Sequence, residues 1–251
     1  MTRDADASFR FTHAICRRPA ISVTRGLRAV DTGTPNLGLM QAHHEAYIEA
    51  LRETGARVTV LDPLEDYPDS VFVEDTALCL PQGAVMMRPG APSRRGEVDE
   101  MAPYLERFYG GVARIAGEEA FIEGGDILVT GREILVGQSA RTNAAGIAAL
   151  ATIVEPWGHE LREVVTPPEI LHFKTDCSLL DAETVLATPR LAATGCFEGY
   201  RVIHTAPNEE PAANAIRFND IVLMAEGFPE TEWAVRAAGY AVIPIGYSEC
   251  A

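Results

Sequence analysis

The sequence predicts an α/β fold assembled from loosely repeated strand–loop–helix–strand units. Three observations lead there. Short apolar runs recur, each is followed by a polar segment bearing Gly or Pro, and each then gives way to apolar residues at helical spacing before a second apolar run. Three copies are clear. Residues 84–88 (AVMMR) lead into PGAPSRRGE, a helix over 98–109 and a strand over 111–115. Residues 134–137 (ILVG) lead into QSARTNAAG, a helix ending at Trp157 and a strand over 160–164. Residues 221–224 (IVLM) lead into AEGFPE, a helix over 231–238 and a strand over 240–244.

Two weaker copies begin at 13–17 and 184–187, the first using a helix over 38–53 and a strand over 57–61. The period, roughly 50 residues, is irregular and suits a diverged repeat better than a solenoid. Helices are placed by spacing: Met40, His44, Tyr47 and Leu51 share one face, as do Ile147, Leu150, Val154 and Trp157. Gly55, Gly158 and Gly239 stand where a left-handed terminator is wanted. Five such units would close around a central axis, with the loops after the first strands at one shared mouth.

The chain has 251 residues, 47% hydrophobic and 23% charged, with no low-complexity stretch or linker to divide it. One domain over 1–251 is therefore expected. The 21 basic against 36 acidic residues give a net charge of −15. That charge repels nucleic acid and anionic membranes and weakly favours cationic ligands, while also serving solubility. Five cysteines at irregular spacings, with no CxxC pair, argue against a zinc site and a disulfide framework. The opening MTRDADASFRF lacks the apolar core of a signal peptide, and no apolar run reaches membrane-spanning length. A reducing cytoplasm is the expected setting, with neither metal nor cofactor.

Five segments carry candidate chemistry. In YPDSVFVED (67–75), read as a strand, Asp69, Glu74 and Asp75 bracket apolar residues; three close carboxylates repel one another unless a cation or donor neutralises them. Solvated strand ends would look the same. SRRGE (93–97) offers arginines whose planar forks suit a carboxylate, and Arg141 in SARTN does likewise; solvated loops are the plainer account, with Thr142 or Asn143 capping the next helix. FIEGGD (121–126) fits a hairpin turn, or a site in which Glu123 orients an imidazole. In ILHFKTDC (170–177), read as a strand, His172 faces away from Leu171 and Phe173, as a satisfied structural histidine or a catalyst would. His43, His44, His159 and His204 are read as structural.

The order of these motifs, YPDSVFVED, RPGAPSRRGE, EGGD, GQSARTNAAG and LHFKT, resembles that of the dimethylarginine dimethylaminohydrolases, from HAICRRP onward. These belong to the guanidine-modifying (pentein) superfamily, which also contains the arginine deiminases. The resemblance implies a pseudo-five-fold α/β propeller and hydrolysis of Nω-methylated arginine, a small cationic guanidinium substrate, to citrulline and a methylamine. It implies that His172 is the catalytic histidine, that Glu123 orients it, and that Asp75 holds the guanidinium. Leu27, Asp69, Phe72, Glu74, Arg94 and Arg141 match substrate-pocket positions, the two arginines facing the substrate's carboxylate. A homodimer is left open.

One departure stands out. The family carries its nucleophilic cysteine in a C-terminal segment resembling DGGxSCxS, after a strand and a Ser–Glu pair. Here YAVIPIG and Ser248–Glu249 are present, but the sequence stops at Ala251, about eight residues short of that cysteine by the family's spacing. Cys250 lies nearby at a different place in the motif. The reading is that a tail is missing, so that the chain as given binds substrate more readily than it turns it over. Cys177 is read as a buried apolar thiol. Two alternatives remain: an arginine deiminase-like guanidine hydrolase, disfavoured by the lack of a helical insertion, and a non-catalytic propeller that binds a macromolecule.

Overall fold

The structure is a computed structural model and describes residues 5–28 and 33–249. Its helices begin and end on local chemistry. α1 (Leu37–Glu53) opens on Asn36, whose side chain accepts from the Leu39 N–H. α2 (Arg95–Tyr109) stops on Gly110 in the left-handed region, φ 72°. α3 (Ala144–Val154) opens on Asn143, whose side chain accepts from the Gly146 N–H at 2.8 Å. α4 (Pro189–Ala192) and α5 (Pro229–Ala237) each carry a proline in the first turn, where its missing N–H costs nothing. The terminators expected at Gly55, Gly158 and Gly239 all have positive φ.

The strands of the described residues form five small sheets. β1 (His13–Arg17) pairs in parallel with β2 (Arg57–Leu61), and α1 is the crossover that a parallel pair requires. The other four sheets share one plan, a short antiparallel hairpin followed, after a helix, by a strand parallel to the middle one. They are β3 (Ala77–Leu80), β4 (Gly83–Met86) and β5 (Val112–Arg114) around α2; β6 (Ile127–Val129), β7 (Ile134–Gln138) and β8 (Leu161–Val165) around α3. Next come β9 (Cys177–Leu179), β10 (Thr184–Ala187) and β11 (Arg201–His204) around α4, then β12 (Ile216–Phe218), β13 (Ile221–Ala225) and β14 (Ala241–Ile245) around α5.

The predicted units are therefore present, but each of these four has a strand the sequence did not disclose. β3, β6, β9 and β12 are three or four residues long, too short for alternation to register. Helix meets sheet through the apolar faces read from spacing: Ile147, Leu150 and Val154 of α3 pack with Ile134 and Val136 of β7 and with Val85 of β4. Each such side chain taken from water contributes about 1.5–3 kcal/mol.

A short 3-10 helix precedes the first strand of each three-stranded unit: Val73–Thr76, Gly124–Asp126, Phe173–Thr175 and Glu210–Ala213. The first packs on the second, the second on the third, and the third on the fourth. The turns before the hairpins thus meet in sequence. Among the described residues no helix is long and apolar enough to cross a membrane.

Candidate active site

Two of the segments read as strands are not strands. Residues 67–75 form turns running into the 3-10 helix Val73–Thr76, and His172 is the residue before the 3-10 helix Phe173–Thr175. Alternation of apolar residues was the misleading signal. Here it reflects a turn that carries Asp75 into a buried site.

The glycine pair of the EGGD motif decides the geometry. It forms the 3-10 helix Gly124–Asp126 rather than a hairpin tip. A Cβ on Gly124 would lie 2.0 Å from the Glu74 carbonyl oxygen, and one on Gly125 would lie 2.9 Å from Asp75 Oδ1 and 3.0 Å from the His172 ring. Only glycines let the three turns approach this closely. Gly125 N–H then donates to Asp75 Oδ1 at 3.0 Å.

Glu123, fully buried, sits beside them with Oε2 2.8 Å from His172 Nε2. His172 keeps its own backbone in place by accepting from the Thr175 N–H at 3.0 Å and donating to the Thr175 hydroxyl at 3.3 Å. Burial disfavours the imidazolium, but Glu123, Asp75 and Asp126 together outweigh it and hold the His172 pKa above the ordinary histidine value. Burial likewise pushes the Asp75 carboxyl up, yet Arg94 and His172 win and its pKa is lowered.

Arg94 departs from expectation. Instead of facing outward toward a substrate carboxylate, its buried guanidinium turns inward. Nη1 donates to Asp75 Oδ2 at 2.7 Å and lies 3.8 Å from Glu123 Oε2. Nε and Nη2 grip Glu97, and Nη2 also reaches the Phe72 carbonyl at 3.3 Å. Three carboxylates around one buried cation explain the arrangement, since the alternative is uncompensated buried charge. Burial, only partly offset by Arg94, pushes the Glu97 carboxyl up to about 7. Glu97 stood in plain view three residues after Arg94, a spacing that puts both on one face of a helical turn.

Arg141 remains partly exposed, with Nη1 3.7 Å from Glu123 Oε1, and that oxygen has no hydrogen-bond partner. Asp69 accepts from the Leu27 N–H at 3.0 Å. Leu27, Asp69 and Phe72 line a cleft of about 450 Å³ with Asn36, Met40 and Glu249. Leu27 and Phe72 are exposed and apolar there. Glu74 points outward and pairs with Lys174. The predicted residues accordingly divide into an inner set (buried Asp75, Arg94 and Glu123 with half-buried His172) and an outer set (Leu27, Phe72, Glu74 and Arg141, with the buried Asp69 among them). Asp75, Glu123 and His172 offer ligand atoms within 4.8 Å of one another, a metal-like cluster, but the Arg94 guanidinium already neutralises it.

Cys177 is fully buried, donates to the Phe173 carbonyl, and has its pKa raised well above the usual thiol value by desolvation. Cys16 and Cys196 are buried too, and Cys79 is exposed. Cys250 lies outside the described residues. A carboxylate-oriented imidazole beside a buried aspartate can hold a cation and shuttle a proton to it.

Residues 37–162 match the family model for eukaryotic N,N dimethylarginine dimethylhydrolase. The N(G),N(G)-dimethylarginine dimethylaminohydrolase of Pseudomonas aeruginosa is 37% identical over 239 residues, covering 95% of this chain and 94% of that protein. The Streptomyces coelicolor enzyme of the same name is 32% identical, covering 94% and 90%. A solved structure of the Pseudomonas protein, a cysteine-to-serine mutant complexed with citrulline, superposes with a TM-score of 0.93 at 38% identity, covering 96% and 94%. The N-terminal domain of ArgZ, a cyanobacterial arginine dihydrolase, shares the fold at 19% identity, with a TM-score of 0.82. The fold is that of a guanidine-acting α/β hydrolase. Within that class, the chain belongs to the dimethylarginine dimethylaminohydrolase family.

Proposed function

We propose that the chain is one catalytic domain over 1–251, a pseudo-five-fold α/β propeller that hydrolyses Nω-methylated arginine to citrulline and a methylamine. The observation that carries this is the 2.8 Å contact between buried Glu123 and His172, with Asp75 converging on the same point. Five small sheets, four of them of one plan, support the propeller.

The guanidinium carbon is a poor electrophile because its charge is delocalised, so the reaction depends on orientation and proton transfer. Asp75 has one hydrogen bond on each oxygen, from Gly125 and Arg94, and a carboxylate has about four lone-pair positions, so acceptor capacity remains for guanidinium N–H groups. Arg94, locked by Glu97, keeps that carboxylate ionised and aimed. Arg141 binds the substrate's carboxylate, while Leu27, Asp69, Phe72 and Glu74 line its path.

A cysteine thiolate adds to the guanidinium carbon. The C–N bond to the methylated nitrogen breaks as His172 donates a proton to the departing amine, leaving a thiouronium on sulfur. His172 then takes a proton from water, whose oxygen adds to the same carbon; the adduct's hydroxyl gives its proton to solvent as the C–S bond breaks, releasing citrulline and the thiolate. Holding the His172 pKa above normal suits the first of these proton transfers. Following the family motif, the nucleophile is a cysteine beyond Ser248–Glu249. The four free thiols among the described residues fit a reducing cytoplasm.

The test is citrulline release from asymmetric dimethylarginine by the chain extended through its downstream coding sequence. Release no greater than that of His172→Ala overturns the reading.

A further inference from the structure

Asp126 ends the EGGD motif and has no part in the mechanism above, yet it is fully buried and every contact it makes leads to a residue of the site. Its Oδ1 accepts from the Phe173 N–H at 2.8 Å, fixing the peptide that follows His172. Its Oδ2 accepts from the Ser139 hydroxyl at 2.7 Å, and Ser139 Oγ in turn accepts from the Arg141 N–H at 3.0 Å. Ser139 N–H donates to the Thr142 carbonyl, and the Thr142 hydroxyl accepts from the Glu123 N–H at 3.1 Å. One carboxylate thus joins three elements: its own 3-10 turn, the turn carrying His172, and the loop carrying Arg141.

We propose that Asp126 is the positioning residue of this site, setting His172 through Phe173 and Arg141 through Ser139. The inference rests on the proposed hydrolase reading, in which His172 moves protons and Arg141 binds the substrate's carboxylate. A buried carboxylate is a costly way to join two loops, since a neutral amide or a hydroxyl could supply an acceptor without desolvating a charge. Its charge has a second use. The groups facing His172 are Glu123, Asp75 and Asp126, with Arg94 3.8 Å from the Glu123 oxygen that His172 binds and Arg141 3.7 Å from the other. Asp126 adds to the field that favours the imidazolium without competing for the ring nitrogen that Glu123 occupies.

The two branches separate by substitution. Asp126→Asn is nearly isosteric and keeps an oxygen for Phe173 while removing the charge. Ser139→Ala leaves the charge and cuts the branch to Arg141. The His172 titration is followed by NMR of the ring in the chain as it stands, and monomethylarginine binding by calorimetry. Asp126→Asn is expected to lower the His172 midpoint by roughly one pH unit. Ser139→Ala is expected to leave that midpoint unchanged and weaken binding about 5-fold, the loss of one modest hydrogen bond. An unmoved midpoint in folded Asp126→Asn overturns the proposal. So does undiminished binding in Ser139→Ala, which decides alone if the asparagine variant does not fold. Neither measurement needs turnover, so a chain that releases no citrulline can still pass or fail this test.

Discussion

The backbone of Gly124 runs directly against the carbonyl of Glu74, so that a Cβ on the glycine would lie 2.0 Å from that oxygen. The contact brings the turn carrying Asp75 onto the turn carrying Glu123. Gly124→Ala should therefore force two backbones apart and cost about 1–3 kcal/mol, read as a lowered urea midpoint. Gly38→Ala, in the first turn of α1 with only the Asn36 side chain near at 3.5 Å, should be neutral or stabilising by comparison.

Arg94 balances Asp75, Glu97 and Glu123 with almost no exposure to water. Arg94→Ala leaves those carboxylates uncompensated and should cost about 3–5 kcal/mol at neutral pH. The deficit should shrink on acidification as the carboxylates protonate. Thermal melts of both proteins at mildly acidic and neutral pH check this, and a pH-independent deficit would count against the network.

Burial, only partly offset by Arg94, holds the Glu97 carboxyl at about 7, against an ordinary 4.5. A carboxyl raised on folding binds more protons in the native state, so its contribution is fully present below 4.5 and is lost as pH rises through about 7. Wild-type stability should fall across that window more steeply than that of Glu97→Gln, measured by denaturant unfolding at several pH values.

His172 has the same sign at higher pH. Its pKa is raised above 6.5, so the stability that the imidazolium draws from Glu123, Asp75 and Asp126 is complete below 6.5 and disappears as pH rises through the folded value. The stability advantage of wild type over His172→Gln should narrow as pH rises through that range.

Asp75→Asn should weaken methylarginine binding about 10- to 150-fold, the loss of a charge-assisted hydrogen bond of about 1.5–3 kcal/mol. Calorimetric titration reads it. Binding within a factor of two of wild type would remove Asp75 from the guanidinium site.

Much of this protein was legible in its residues. Repeated apolar runs, helical spacing and terminating glycines placed β1, β2, β10 and all four longer helices to within a few residues, because those signals are local. Motif order brought Asp75, Glu123 and His172 forward together. The short strands β3, β6, β9 and β12 escaped, since three or four residues carry too little periodicity to be told from loop.

What the sequence determined by itself was the unit of construction and the chemical identity of the site. Tertiary structure alone decided how the parts are used. Arg94 turns inward because folding gathers three carboxylates whose mutual repulsion only a buried cation relieves. Asp126 becomes a junction because turns 13 to 47 residues from it in sequence are pressed against it. Spacing along a chain encodes which groups are available; the sums of burial and charge that orient them exist only once distant turns meet.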